Sequence, residues 1–267
     1  MLTKLFKMTK IKIALIILCV LAIVPGVSAQ SLEMYERDPY TYRQQLIDSL
    51  IQNMVKVDGG AFMLGVPIED KEAFDWEKPA KEHIVNDFYI CRYEVTQALW
   101  EVVVGVNPAC FKIASHPIES VSYYDCLFFI SCLNKLTHNK YNFRLPTEQE
   151  WEYAARGGKF SQCYKFSGSD DLNEIAVYCK NANGMPDEVG TKKPNELGLY
   201  DMTGNVWEWT SSYWTSDYNS DEDRSSFVTR GGSWINDEGT SRVTYRSYVI
   251  PQFKDYYLGL RLVCDNI

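Results

Sequence analysis

Gly198-Leu199-Tyr200-Asp201-Met202-Thr203-Gly204-Asn205-Val206-Trp207-Glu208-Trp209 is the stretch on which the fold of this 267-residue chain turns. It lies in the part of the sequence after residue 159, where no helical pattern is convincing and short strand-like runs alternate with turns. Thr215 to Ser226, just beyond it, is a polar, acidic loop. Upstream the picture changes. Arg144-Leu145-Pro146-Thr147-Glu148-Gln149-Glu150-Trp151-Glu152-Tyr153-Ala154-Ala155-Arg156-Gly157-Gly158 reads as a capped helix. Thr147 and Glu150 have the spacing of a capping box, Trp151, Ala154 and Ala155 supply a buried stripe, and Gly157 closes the helix in a left-handed conformation. Glu148, Glu150 and Glu152 read as helix-face charges and a cap.

Working outward, Cys126, Phe129, Ile130, Leu133 and Leu136 after Ser122 recur at three- and four-residue steps and predict a second helix. Thr96 caps a shorter one through Val104, ended by Gly105 and Asn107-Pro108. Met54 to Gly65 reads as two short strands around a Gly-Gly turn, and Phe88 to Val95 as another strand. Residues 30–53 form a polar lead-in with a short helix from Tyr42 to Ile51, so the domain is expected over 54–267. A few helices early, then irregular chain and short strands, give an α+β single domain rich in loops.

The first residues read as a targeting segment. Lys4, Lys7, Lys10 and Lys12 precede an apolar run from Ile13 to Val24, too short for a comfortable bilayer span, and Val27-Ser28-Ala29 offers small residues for cleavage after Ala29. A lipoprotein alternative would acylate Cys19, but no small residue stands just before it. The chain is thus expected to be exported, to a periplasmic, cell-surface or secreted location, with no transmembrane segment after cleavage. Removing residues 1–29 leaves 238 residues with 23 basic and 35 acidic side chains, a net charge of −12 instead of −8. Such a surface repels phosphate backbones, which argues against nucleic-acid partners.

Seven cysteines then remain, Cys91, Cys110, Cys126, Cys132, Cys163, Cys179 and Cys264, an odd number with no C-x-x-C among them. Cys163 with Cys179 is the expected bridge. Cys126 and Cys132 sit on different faces of one helix and read as small buried hydrophobes. His83, His116 and His138 are widely separated, without the spacing of a helix-borne metal site. No G-x-S-x-G or phosphate loop occurs.

Five landmarks in order, Phe88 to Thr96, Arg144 to Gly158, Gly198 to Trp209, Arg230-Gly231-Gly232-Ser233-Trp234 and Gly259-Leu260-Arg261, resemble the formylglycine-generating enzyme, or sulfatase-modifying factor, family from Met54 to Val263. The resemblance implies a loop-rich relative of the C-type lectin fold. Active enzymes of that family oxidise a client cysteine to formylglycine with oxygen and copper(I) held by two thiolates, the soft ligands that this ion prefers. In the family pattern those cysteines lie two and seven residues after the aromatic that follows Gly-Gly-Ser. Counted from Trp234, those positions are Asn236 and Ser241. Neither forms a thiolate, so copper is not expected, and Ser233, which matches the serine beside the copper site, has no metal to assist. The three histidines likewise fail to match the related iron-dependent sulfoxide synthases.

The resemblance also implies a structural calcium site at Asn205, Val206 and Glu208, oxygen ligands of the kind calcium takes. A second family calcium site lacks its aspartate, Gly190 standing there beside Asn181. Asp217, Asn219 and Asp221 briefly imitate an EF-hand, but Glu222 and Val228 break it. Core packing accounts for most of the aromatic residues, Trp214 being expected nearest the surface. Arg230, Arg242, Arg246 and Arg261 read as buried arginines that satisfy loop carbonyls.

The leading expectation is a pseudoenzyme, a binding or scaffold module whose ligand face comprises Ser233, Trp234, Asn236, Ser241, Arg242 and Arg246, for a protein, peptide or glycan. It uses the loops Ile235 to Ser241 and Ser247 to Tyr256, which match the active-site segment of the enzymes and the variable face of retroelement-diversified lectin-like proteins. An enzyme with copper-independent chemistry and a component of an envelope or secretion assembly stay open as alternatives.

Overall fold

A four-stranded sheet with one apolar core on each face organises the chain, and alternation along its strands assigns every side chain to a face. The computed structural model describes residues 38–216 and 223–267. The expected leader, its Cys19 alternative, residues 30–37 and the acidic loop residues Asp217, Asn219, Asp221 and Glu222 lie outside the described residues.

Helix α1 (Pro39–Gln52) starts at Asp38, whose carboxylate accepts from the Thr41 amide, and proline occupies its first position, where a missing N–H costs nothing. It is longer than the expected Tyr42–Ile51 and is not a mere lead-in, because Ile47 is buried in the larger core. Strand β1 (Met54–Val57) does not pair with β2 (Gly60–Leu64). It pairs antiparallel with β4 (Phe88–Cys91), whereas β2 pairs with β3 (Lys81–Val85) in a separate ribbon. The Gly59-Gly60 turn therefore passes the chain between two sheets. A side chain at Gly59 would have its Cβ 2.2 Å from the Val85 carbonyl oxygen, so only glycine fits.

Helix α2 (Gln97–Val104) is capped by Thr96 and closed by Gly105 in the left-handed region, as its sequence predicts. Helix α3 (Tyr123–Leu136) opens with a reciprocal Ser122–Asp125 capping box. Strand β5 (Phe143–Arg144) leads into helix α4 (Glu148–Ala155), with the expected Thr147–Glu150 box and Gly157 at φ 89°. Arg144 adds a fork onto both oxygens of Glu150 at 2.7 Å, fixing the approach to the helix. Beyond residue 159 one short helix does form, α5 (Leu172–Ile175), capped by Asp171. Then come β6 (Trp207–Trp214), β7 (Asp223–Arg230), β8 (Arg246–Val249), β9 (Leu258–Gly259) and β10 (Val263–Cys264).

The central sheet has the order β1-β4-β10-β5, and a second sheet runs β8-β7-β6-β9. In the central sheet Met54, Cys91, Phe143 and Cys264 face the larger core with α1, α2 and α3. Val57, Phe88, Ile90 and Val263 face the smaller core around Trp151 of α4. This is the two-residue period of a strand buried on both sides.

The cysteines are all unbridged among the described residues. Cys163 and Cys179, the expected pair, are both exposed on separate loops, and neither has a partner sulfur. Cys126 is buried on α3 and Cys132 half-buried on another side, as their spacing requires.

Candidate functional site

The site is built from the turn that follows β7. Gly231 and Gly232 take φ values of 101° and 76°, which swing the chain back from the sheet end and bring Ser233 and Trp234 against the Asn205 turn. There the Trp234 amide donates to the Asn205 carbonyl at 2.8 Å. Ser233 is buried, and its hydroxyl donates to Asn236 Oδ1 at 2.6 Å. The indole N–H of Trp207, arriving from β6, donates to the same oxygen at 2.9 Å. The Asn236 amide closes the turn onto the Ser233 carbonyl, and its own carbonyl accepts from the Cys179 amide at 3.1 Å. Asn236 thus ties three segments together through neutral hydrogen bonds.

Ser241 does not share that position. It ends a short 3-10 turn, Gly239–Ser241, and is buried with its hydroxyl donating to the Asp237 carbonyl at 2.7 Å. A Cβ on Gly232 would stand 3.0 Å from this hydroxyl, so the serine fills the inner side of the turn. The two residues where the family places its thiolates are here an amide hub and an inward plug.

Beside Asn236 a cavity of about 250 Å³ opens, lined by Trp207, Ile235, Thr240, Tyr245, Ser247 and Tyr257 among others. Trp234 stands near it, half-buried, in a cluster with Phe111 at 5.8 Å and Tyr256 at 5.7 Å between ring centroids. The loops expected to form the ligand face do expose apolar side chains: Ile235, Tyr248, Ile250 and Tyr256 are between 39% and 54% accessible. Such a surface can take a ligand by stacking and neutral hydrogen bonding. Trp214, expected nearest the surface, is instead covered by the Arg246 guanidinium at 4.7 Å and by Tyr248.

Arg242 and Arg246, expected on the ligand face, are turned inward. Arg242 Nη2 donates to Glu77 Oε1 at 2.6 Å, and Thr244 donates to the other oxygen of that carboxylate at the same distance. Arg246 grips Glu148 with Nε at 2.6 Å and Nη2 at 2.9 Å and donates to the Trp76 carbonyl. Arg230 is held by Glu152 and by the Tyr245 and Val243 carbonyls. Arg261 pairs with Glu208 at 2.8 Å and donates to the carbonyls of Cys91, Arg92 and Tyr200. The loop-carbonyl role expected of these arginines holds for Arg230, Arg246 and Arg261 but not for Arg242, and each of the four neutralises a buried carboxylate. Glu148 and Glu152 are accordingly interior ion-pair partners and not surface charges. The signal was available: on α4 they share the side of Trp151 and Ala155.

The residues of the expected calcium site are close together but already engaged. Asn205 sits at φ 57° after Gly204, whose Cβ would lie 2.3 Å from the Val177 carbonyl oxygen. Asn205 Oδ1 accepts from the Asp187 amide at 2.9 Å and its Nδ2 donates to Glu94 Oε2 at 2.6 Å. The Val206 amide donates to Glu94 Oε1, and Glu208 is filled by Arg261 and by the Trp151 indole at 2.7 Å. Calcium takes six to eight oxygens, side-chain and carbonyl, and here the Asn205 and Glu208 side-chain oxygens already accept protein hydrogen bonds. In this arrangement Arg261 supplies the positive charge beside Glu208. Asn181 is likewise closed, onto the Tyr178 amide and the Ala176 carbonyl. Among the described residues no three His, Cys, Asp or Glu side chains are grouped to hold a metal.

Two carboxyls here escaped the sequence reading. Burial, reinforced by neighbouring Asp201, pushes Glu94 well above the usual carboxylate range, and burial raises Asp201 to about 6. Asp201 accepts from the Gly190 amide at 2.7 Å through one oxygen, and its other oxygen has no partner.

Comparison with known proteins bears on the family and the fold. Residues 43–266 match the sulfatase-modifying factor enzyme 1-like domain. A chaperone protein LppX of Paenibacillus barcinonensis is 32% identical over 241 residues, covering 72% of this chain and 82% of that protein. An inactive C-alpha-formylglycine-generating enzyme 2 of Bos taurus is 32% identical over 182 residues, 62% of this chain and 56% of its own length. Among solved structures, Treponema denticola variable protein 1 superposes with a TM-score of 0.70 at 28% identity, over 79% of this chain and 94% of that one. With the domain match running from α1 to the last strand, the chain belongs to the sulfatase-modifying factor enzyme 1-like family.

Proposed function

We propose that this chain is an exported, non-catalytic binding or scaffold module of its family, which engages a protein, peptide or glycan through the cavity beside Asn236 and its aromatic rim. One observation carries the reading. Asn236 and Ser241 occupy the places where thiolates would stand, and both side chains are spent on internal hydrogen bonds. Oxidation of a client cysteine by oxygen through copper(I) needs soft ligands, and neither an amide nor a hydroxyl supplies them. The rim formed by Trp234, Phe111 and Tyr256 still offers stacking area, so the face keeps the means to bind after losing the means to react.

Two names among the relatives fit this reading, one protein being called a chaperone and another inactive. The chain's excess of acidic over basic residues directs the search toward partners other than nucleic acids. Export rests on the basic and apolar segment before Ala29. Among the described residues no helix is long and apolar enough to cross a membrane.

Binding is checked by screening glycans, peptides and envelope proteins against the unsubstituted chain and a Tyr256→Ala variant. A ligand that binds the first and at least about tenfold more weakly the second is the expected result, since such rim aromatics carry much of an interface's energy. Equal binding by both variants would place the ligand elsewhere. N-terminal sequencing of the mature protein checks export, with Gln30 expected as the first residue.

A further inference from the structure

On the other side of the Asn205 turn lies a cavity that the binding face does not use. It measures about 230 Å³ and is lined by Ile113, His116, Val177, Met185, Pro186 and Asp187, with Ala182 and Asn183 completing it. Asn205 positions it by accepting from the Asp187 amide, so the turn that supports Trp234 also supports this cavity. His116 is only 8% accessible, and its Nδ1 has no hydrogen-bond partner. Burial holds the imidazole below the usual histidine range, against the pull of Asp187 and Glu188, so the ring is neutral near pH 7. A neutral imidazole brings no positive charge to the cavity it lines. Asp187 uses one carboxylate oxygen on the Glu188 amide at 2.8 Å, and the other takes no protein partner among the described residues.

We propose that this cavity is a binding site for a primary ammonium group carried on a short aliphatic stem. Ile113, Val177, Met185 and Pro186 supply apolar wall for the methylenes. The Asp187 carboxylate supplies the counter-charge, and the buried, neutral imidazole of His116 on the same lining brings no opposing charge. An anion is opposed by Asp187 and Glu188. A metal ion lacks ligands, because among the described residues no group of three His, Cys, Asp or Glu is arranged for one. The same ammonium chemistry comes either from a free amine or from a lysine side chain of a protein.

The test follows the ring signals of the three histidines by nuclear magnetic resonance on the full chain, while n-butylammonium, acetyl-Ala-Lys-Ala-amide or 1-butanol is added. We expect a saturable shift confined to His116 with the ammonium probes. Binding should be at least about tenfold weaker for the alcohol, which keeps the stem and loses the charge, and about fivefold weaker in Asp187→Asn, which keeps the turn. Glu188→Gln provides a second variant, expected to weaken binding less. Tighter binding of the peptide than of butylammonium identifies a protein lysine as the source, and the reverse identifies a free amine. No saturable His116 shift with either ammonium probe, or equal binding of the alcohol, overturns the proposal.

Discussion

The interior behind α4 and the face around Asn236 draw on one stretch of sequence, with Arg230, Arg242 and Arg246 flanking Asn236, and follow opposite rules. The interior is held by charge. Glu77, Glu148, Glu152 and Glu208 each meet an arginine, and the guanidiniums of Arg230, Arg246 and Arg261 also satisfy backbone carbonyls. The face is held by neutral contacts: a serine hydroxyl and an indole share one amide oxygen, with aromatic rings around it. Buried ion pairs tolerate no loss of a single partner, whereas neutral contacts at a half-exposed site can be exchanged at small cost. Binding chemistry can therefore change on the face while the interior keeps the fold.

The sharpest break of that contrast is Arg261→Met. It leaves Glu208 buried without its cation and strips hydrogen bonds from the Cys91, Arg92 and Tyr200 carbonyls. A loss of about 3–5 kcal/mol is expected in urea denaturation. A loss below about 1 kcal/mol would mean that Glu208 finds another partner and that the interior is not held by charge.

Asn236→Ala probes the other side. It removes the acceptor shared by Ser233 and Trp207 but leaves no charge stranded, so about 1–2 kcal/mol is expected. If it cost as much as Arg261→Met, the face would be as structural as the interior, and the contrast would fail.

The smallest effect comes from pH. Asp201 titrates at about 6 in the folded chain against 3.8 for the ordinary group, and Glu94 is displaced in the same direction. Between those values the folded state holds a proton that the unfolded chain has released, so stability falls as pH rises through this window. Moving from pH 7 to pH 5 should stabilise the chain by on the order of 1 kcal/mol from this cluster. Asp201→Asn should flatten that part of the profile, and an unchanged slope in the variant would assign the effect to other groups.

How far these features are legible in the sequence depends on how local their causes are. The ends of α2, α3 and α4 are written within four residues of themselves, in Thr96, Ser122 with Asp125, and Thr147 with Glu150, and they fall where the sequence places them. Strand partners are not local. Nothing near Met54–Val57 indicates pairing with β4 instead of with β2, and β6 lies parallel to β9 some fifty residues further on. The carboxylate partners of Arg242 and Arg246 were hidden for a related reason, since Glu77 and Glu148 are about a hundred residues or more away. At the site, Asn236 and Ser241 could be found by counting from Trp234, but their unlike roles depend on the 3-10 turn that buries one of them. His116 carried no signal at all, because a single histidine becomes informative only with its surroundings.

The measurement that bears most directly on a binding face without catalysis is incubation of the chain with copper(I), oxygen and a peptide containing C-x-P-x-R, read by mass spectrometry of the peptide. The account predicts an unchanged peptide mass. A peptide that lost mass as its cysteine became formylglycine would contradict it.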